Sequence, residues 1–153
     1  MLEPSDNSSD ELTENPQASG RAREESHRSQ LDFEIEFFGR ILKRDPDYAD
    51  VLRVHANNLT AKKMYARGLA VDRRLVQLRP SDPVAHYNLA CSYALMRMND
   101  AAIASLDSSL KLGYRDFEHI LGDPDLEHLR KDARFVGLIG RYVLKQKQSG
   151  KAR

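Results

Sequence analysis

Apolar positions in this chain fall into short periodic blocks, separated by polar and proline-containing breaks. From Leu31 onward, Ile35, Phe38, Ile41 and Leu42 recur at three- and four-residue steps. That spacing places them on one helix face. Asp45-Pro46 ends the block, because a residue before proline avoids the α region. The same pair is suited to open the next helix, with Asp45 as N-cap and Pro46 at the first helical position. The pattern predicts a second helix over Tyr48–Lys62 and a third from about Met64 to Leu78. Arg79-Pro80-Ser81-Asp82-Pro83 breaks it. A fourth helix carries Leu89, Tyr93 and Met96 in phase. A fifth, capped at Asn99-Asp100, carries Ile103, Leu106 and Leu110. Gly113 ends it, since glycine accepts the left-handed conformation found past helix ends. Beyond Gly122-Asp123-Pro124, a cap-like start leads through Leu126 and Leu129. Phe135, Leu138, Ile139, Tyr142 and Val143 then stripe a final amphipathic helix. No segment alternates every two residues as a half-buried strand does. The expected class is all-α.

The two ends read differently. Residues 1–30 are rich in Ser, Glu, Asp and Asn, and their only large apolar residues are Met1, Leu2 and Leu12. Such a segment buries too little surface to offset its ordering entropy, so it is expected to be a disordered acidic and polar tail. Residues 148–153 are expected to be a frayed basic tail.

Pro46 and Pro80 lie 34 residues apart. This is the period of the tetratricopeptide repeat, whose two antiparallel helices cross closely at small residues. Residues 83–116 resemble a full repeat: Leu89-Ala90 fall in the large–small pair, Tyr93 in the tyrosine slot and Ala102 in the later alanine slot. Residues 49–82 resemble another, with Leu52, Ala56, Leu59, Gly68 and Pro80 in the corresponding slots. His55 stands there where leucine is usual. Asp72 stands where a large apolar residue is usual, and pairing with Arg73 or Arg74, or a slight rotation of the helix, is expected to accommodate it. Residues 31–48 fit the second half of a repeat through Phe38, Ile41 and Pro46. Residues 117–147 resemble the helices that close such stacks. The resemblance implies an α-solenoid of stacked helix pairs over 31–147, with C-terminal capping helices.

Composition narrows the function. A net charge of +1 gives no whole-chain attraction to nucleic acid or acidic membranes. No stretch approaches the roughly 18 apolar residues of a membrane span. The N-terminus carries no signal-like apolar run, and the single Cys91 cannot form an internal disulfide. A cytoplasmic protein is expected. His119 and His128 lack the one-turn spacing that presents two ligands to zinc, and Asp123-Pro124-Asp125 lacks the rest of a calcium loop. No phosphate loop, and no base beside Cys91, is visible. No cofactor, metal or catalytic residue is expected, and the chain is not expected to be an enzyme.

The resemblance implies binding instead. In this family the first helix of each pair lines a concave groove. The residues placed there are Arg53 and Asn57 from one repeat and Val84, Tyr87, Asn88, Cys91 and Leu95 from the next. Arg53, Asn57 and Asn88 match three positions of the clamp with which some relatives hold a C-terminal carboxylate. Its remaining basic positions fall on Glu118 and Gly122, so a partial clamp is one alternative. The expected partner is a protein or peptide held in an adaptor or assembly role. The other alternative is a structural subunit that self-associates or docks permanently through the N-terminal helix.

Overall fold

The computed structural model describes residues 16–151, with side chains at 20–26 and 30–150. Every regular element among them is helical. α1 spans Pro16–Arg44, α2 Ala49–Ala61, α3 Tyr65–Leu78, α4 Pro83–Leu95 and α5 Asn99–Lys111. A short α6 (Phe117–Gly122), a 3-10 helix (Pro124–Lys131) and α7 (Ala133–Lys151) complete the chain. Each helix packs on its sequence neighbour from α1 through α5. The 3-10 helix packs on α4, and α7 packs on α5. The pairs α2–α3 and α4–α5 occupy residues 49–82 and 83–116.

The turns inside the two pairs are copies of each other. Lys63 and Arg97 both take positive φ, at 62° and 61°. Met64 N–H bonds Leu59 C=O at 2.8 Å, as Met98 N–H bonds Tyr93 C=O at 2.9 Å. Lys63 N–H bonds Thr60 C=O at 2.8 Å, as Arg97 N–H bonds Ala94 C=O at 2.9 Å. This is the Schellman closure, which satisfies orphan carbonyls through one left-handed residue. The same closure follows α5, where Gly113 has φ 110° and Tyr114 N–H bonds Ser109 C=O at 3.1 Å.

Crossings depend on small residues. Gly68 of α3 is buried against α2; a Cβ there would stand 3.1 Å from Thr60 Oγ1 and 3.6 Å from the Ala56 carbonyl. Ala85, Ala90, Ala94 and Ala102 are buried at the α3–α4–α5 contacts. The larger core joins the second pair to the C-terminal helices: Leu106, Leu110, Ile120, Leu126, Leu129, Phe135 and Leu138 are almost wholly buried there. Each such side chain contributes roughly 1.5–3 kcal/mol by leaving water. A smaller cluster of Ala49, Leu52, Leu75 and Ala85 joins the first pair to α4, with Leu42 of α1 packed against it.

Four expectations change. α1 begins at Pro16, so the second half of the segment expected to be disordered is helical; residues 1–15 lie outside the described residues. Arg21, Ala22, Arg23, Glu24 and Glu25 are helix-compatible types, and extending a nucleated helix costs little even when fully solvated. At the other end, α7 runs through residues 148–151 for the same reason, its lysines lying at the end that favours cations. Asp45-Pro46 does not open α2: α2 starts at Ala49 after Tyr48, which makes no side-chain cap, and residues 45–48 form a turn. The capping role falls to Asp82, whose Oδ1 accepts from Val84 N–H at 2.8 Å and Ala85 N–H at 3.2 Å, with Pro83 in the first turn. Finally, Asp72 pairs with neither Arg73 nor Arg74. Residues one and two apart on a helix do not face each other. Arg74 binds Asp47, and Asp72 accepts the Ser92 hydroxyl of α4 at 2.5 Å.

Candidate functional site

α2 and α4 occupy equivalent places in successive pairs. Residues 34 apart on them therefore face the same way. Between them and the α6–3-10 turn lies a recess of about 390 Å3. Asn57, Thr60 and Ala61 of α2 line it, with Tyr87, Asn88, Cys91 and Ser92 of α4. Asp72 of α3, His119 of α6, Asp123 at the cap of the 3-10 helix and Asp125 in its first turn complete the wall.

Of the seven expected groove residues, the recess thus gathers Asn57, Tyr87, Asn88 and Cys91. Val84 and Leu95 lie near the two ends of α4, outside it; Val84 is exposed and Leu95 half-buried. Arg53 is also outside. Its Nη2 donates to Asp82 Oδ2 at 2.5 Å, with both side chains partly buried. Burial raises the Asp82 carboxyl, but the Arg53 hydrogen bond and charge and the two backbone N–H donors outweigh it and hold the group below its ordinary value. Arg53 therefore tethers α2 to the start of α4 and is not a free fork for a ligand carboxylate.

The far wall is a connected polar cluster. Tyr87 donates its hydroxyl to Asp123 Oδ2 at 2.6 Å, and its ring stacks on Tyr114 with centroids 4.6 Å apart. Cys91 Sγ lies 3.7 Å from the same Asp123 oxygen, and His119 Nε2 lies 3.6 Å from it. Asp123 Oδ1 caps the 3-10 helix by accepting from Asp125 N–H at 2.9 Å. Burial, then the Asp123 and Asp125 charges, push the Cys91 thiol well up, so it stays protonated at neutral pH. Burial and the neighbouring Cys91 and Asp123 push the Tyr87 hydroxyl up as well. Burial and the Asp123 charge raise Asp125. Cys91, Asp123 and Asp125 each offer one donor atom within 4.8 Å of the others, the one group among the described residues with the spacing to hold a metal ion.

In the sequence Asp123 and Asp125 stand out as a short acidic run that lacks the rest of a calcium loop. A signal for Asp125 was present, since the 34-residue step that leads from Asn57 to Cys91 leads on from Cys91 to Asp125. The histidines are engaged elsewhere. His55 is buried with Nδ1 unpartnered, its pKa lowered by burial and then by Arg67. His86 Nε2 lies 2.8 Å from the Pro80 carbonyl, and His128 Nε2 lies 2.8 Å from Asn99 Oδ1. No helix among the described residues is long and apolar enough to cross a membrane.

No protein-family model matches the chain. A chloroplastic protein of Arabidopsis thaliana is 44% identical over 59 residues, which are 39% of this chain and 18% of that protein. The match therefore spans under a fifth of that relative's length. Among solved structures, a MamA RS-1 ArsTM double mutant superposes with a TM-score of 0.64 at 16% identity, covering 84% of this chain and 72% of that one. MamA is a tetratricopeptide-repeat protein. With the 34-residue duplication of helices and turns, that likeness gives this chain a tetratricopeptide-type helical-repeat fold.

Proposed function

We propose that the chain is a protein-interaction module that holds a segment of a partner protein across α2 and α4. The observation that carries this reading is the convergence of Asn57, from one pair, with Tyr87, Asn88 and Cys91, from the next, in one recess. Asparagine side chains both donate and accept, so two of them spaced across a groove suit the backbone of an extended peptide. Stacked helix pairs present such concave surfaces for binding, an argument that rests on fold analogy. Binding rather than catalysis is favoured because burial, and then the charge of the Asp123 carboxylate 3.7 Å from its sulfur, hold Cys91 as a thiol and oppose the thiolate that catalysis would need. A carboxylate clamp is disfavoured because Arg53 is bound to Asp82 and the recess walls carry three aspartates.

The test is a peptide selected from a display library for binding to the full chain. Asn57→Ala with Asn88→Ala is expected to weaken it by about tenfold or more, since each lost hydrogen bond is worth about 0.5–1.5 kcal/mol. The melting temperature should hold, because neither side chain is buried. Unchanged affinity would sink the reading.

A second reading has its own observation. Phe33 and Phe37 of α1 stack with centroids 6.0 Å apart and are 61% and 42% exposed. Aromatic side chains so placed favour assembly with a second copy through α1.

A further inference from the structure

The recess is acidic, and one of its buried oxygens has no partner. Asp72 reaches it from α3, apart from the Asp123–Asp125 turn, and is only 3% exposed. Its Oδ2 accepts the Ser92 hydroxyl, while its Oδ1 accepts nothing among the described residues. A buried carboxylate oxygen left without a donor is costly, so the recess lacks one donor that the fold does not supply. Among the described residues no lysine or arginine pairs with the carboxylates of Asp72, Asp123 or Asp125. Arg53 bonds Asp82, Arg130 donates to the Asp123 carbonyl at 2.8 Å and leaves its Nε unpartnered, and His119 Nε2 lies 3.6 Å from the Asp123 carboxylate.

Two kinds of guest could supply positive charge. A bare metal ion fits poorly. It would meet one soft sulfur donor beside hard carboxylate oxygens, and these prefer different metals from those sulfur selects. A cation carried on a peptide fits the whole recess. Its stem would meet Ala61 and Tyr87, its tip the carboxylates, and its backbone the two asparagines.

We propose that the recess binds a lysine or arginine side chain of the partner, held by Asp72, Asp123 and Asp125 while Asn57 and Asn88 bond the adjoining backbone. The inference rests on the groove reading above and fixes the partner's charge as basic. Burial raises Asp72 and Asp125 by opposing their charged forms, and an incoming cation offsets that cost.

The test uses the full chain and blocked hexapeptides differing at one central residue: lysine, arginine, norleucine or glutamate. Binding is read from amide shifts of Asn57, Asn88 and Asp125 at peptide concentrations up to about 5 mM, a range that detects even millimolar affinities. The lysine and arginine peptides are expected to bind about tenfold more tightly than norleucine, as charge-assisted hydrogen bonds allow. Added salt should erode that margin. Asp72→Asn should reduce it about tenfold without lowering the melting temperature, which separates loss of the site from loss of the fold. Norleucine binding as tightly as lysine, or glutamate binding best, overturns the basic-guest proposal and leaves the groove reading intact. No binding by any of the four overturns both. Saturation of Cys91, Asp123 and Asp125 by calcium or zinc, with no shift from the lysine peptide, assigns the cluster to metal and also overturns the proposal.

Discussion

Asp72 shows what a single buried carboxyl does to a small helical stack. Burial pushes it from 3.8 up to about 6, against the pull of the Ser92 hydroxyl and the Arg53 charge. The folded state therefore holds the proton more tightly than the unfolded chain. Its contribution to stability is present in full below about pH 4 and is lost as the pH rises through 6. The rise from 3.8 to about 6 corresponds to about 3 kcal/mol lost by pH 8. Asp72→Asn keeps the shape and removes the titration. Denaturant unfolding should find this variant more stable than the parent by about 1–3 kcal/mol near pH 8, with the gap closing toward pH 4. A gap that persists at low pH would place its origin elsewhere. The sequence marked Asp72 as an exception to an apolar slot, but its partner Ser92 sits twenty residues away on the next pair. Periodicity reports which face a residue occupies and is silent on what meets that face. Arg53 was legible as a groove residue for the same reason, and its engagement by Asp82 was not.

At the level of the element, the repeat was written in spacings rather than in residue types. Pro46 and Pro80 announce the period, and Gly68 and Ala102 announce the close crossings. The turns do not announce themselves, because Lys63 and Arg97 fill left-handed positions that usually select glycine. An L-residue in that region costs roughly 1–2 kcal/mol relative to the right-handed helix, and glycine lifts the cost while adding some unfolded-state entropy. Lys63→Gly and Arg97→Gly should therefore each raise stability by about 0.5–1 kcal/mol in thermal or denaturant unfolding. The two sites lie in separate turns, so the gains should add in the double variant. Loss of stability in either would mean that the lysine or arginine side chain makes a compensating contact. The helix ends were less legible. Composition separates solvated residues from buried ones, and it does not separate a solvated helix from a coil. That is why the start of α1 and the end of α7 read as tails.

At the scale of the molecule, two surfaces of different character lie on different elements. The recess is polar, acidic and formed where two pairs meet the C-terminal turn. The α1 face is aromatic, and no residue of α1 lines the recess. Two stacked rings are a small patch beside the roughly 1,200 Å2 or more that a stable interface buries, so pairing through α1 should be weak by itself. Light scattering on the full chain is expected to give monomer at micromolar concentration and a rising mean mass toward about 1 mM, a range set by the free energy that so small a patch supplies. Phe33→Glu with Phe37→Glu should hold the chain monomeric throughout, because apposed carboxylates repel where the rings attracted. Both positions are exposed, so the fold should tolerate the change. The same variant should bind a groove peptide with unaltered affinity. Self-association that survives the double change would move the interface off α1. A peptide affinity that falls with it would show that the α1 face and the recess act as one site, and the module would then be bivalent toward its partner rather than a groove with an independent assembly surface.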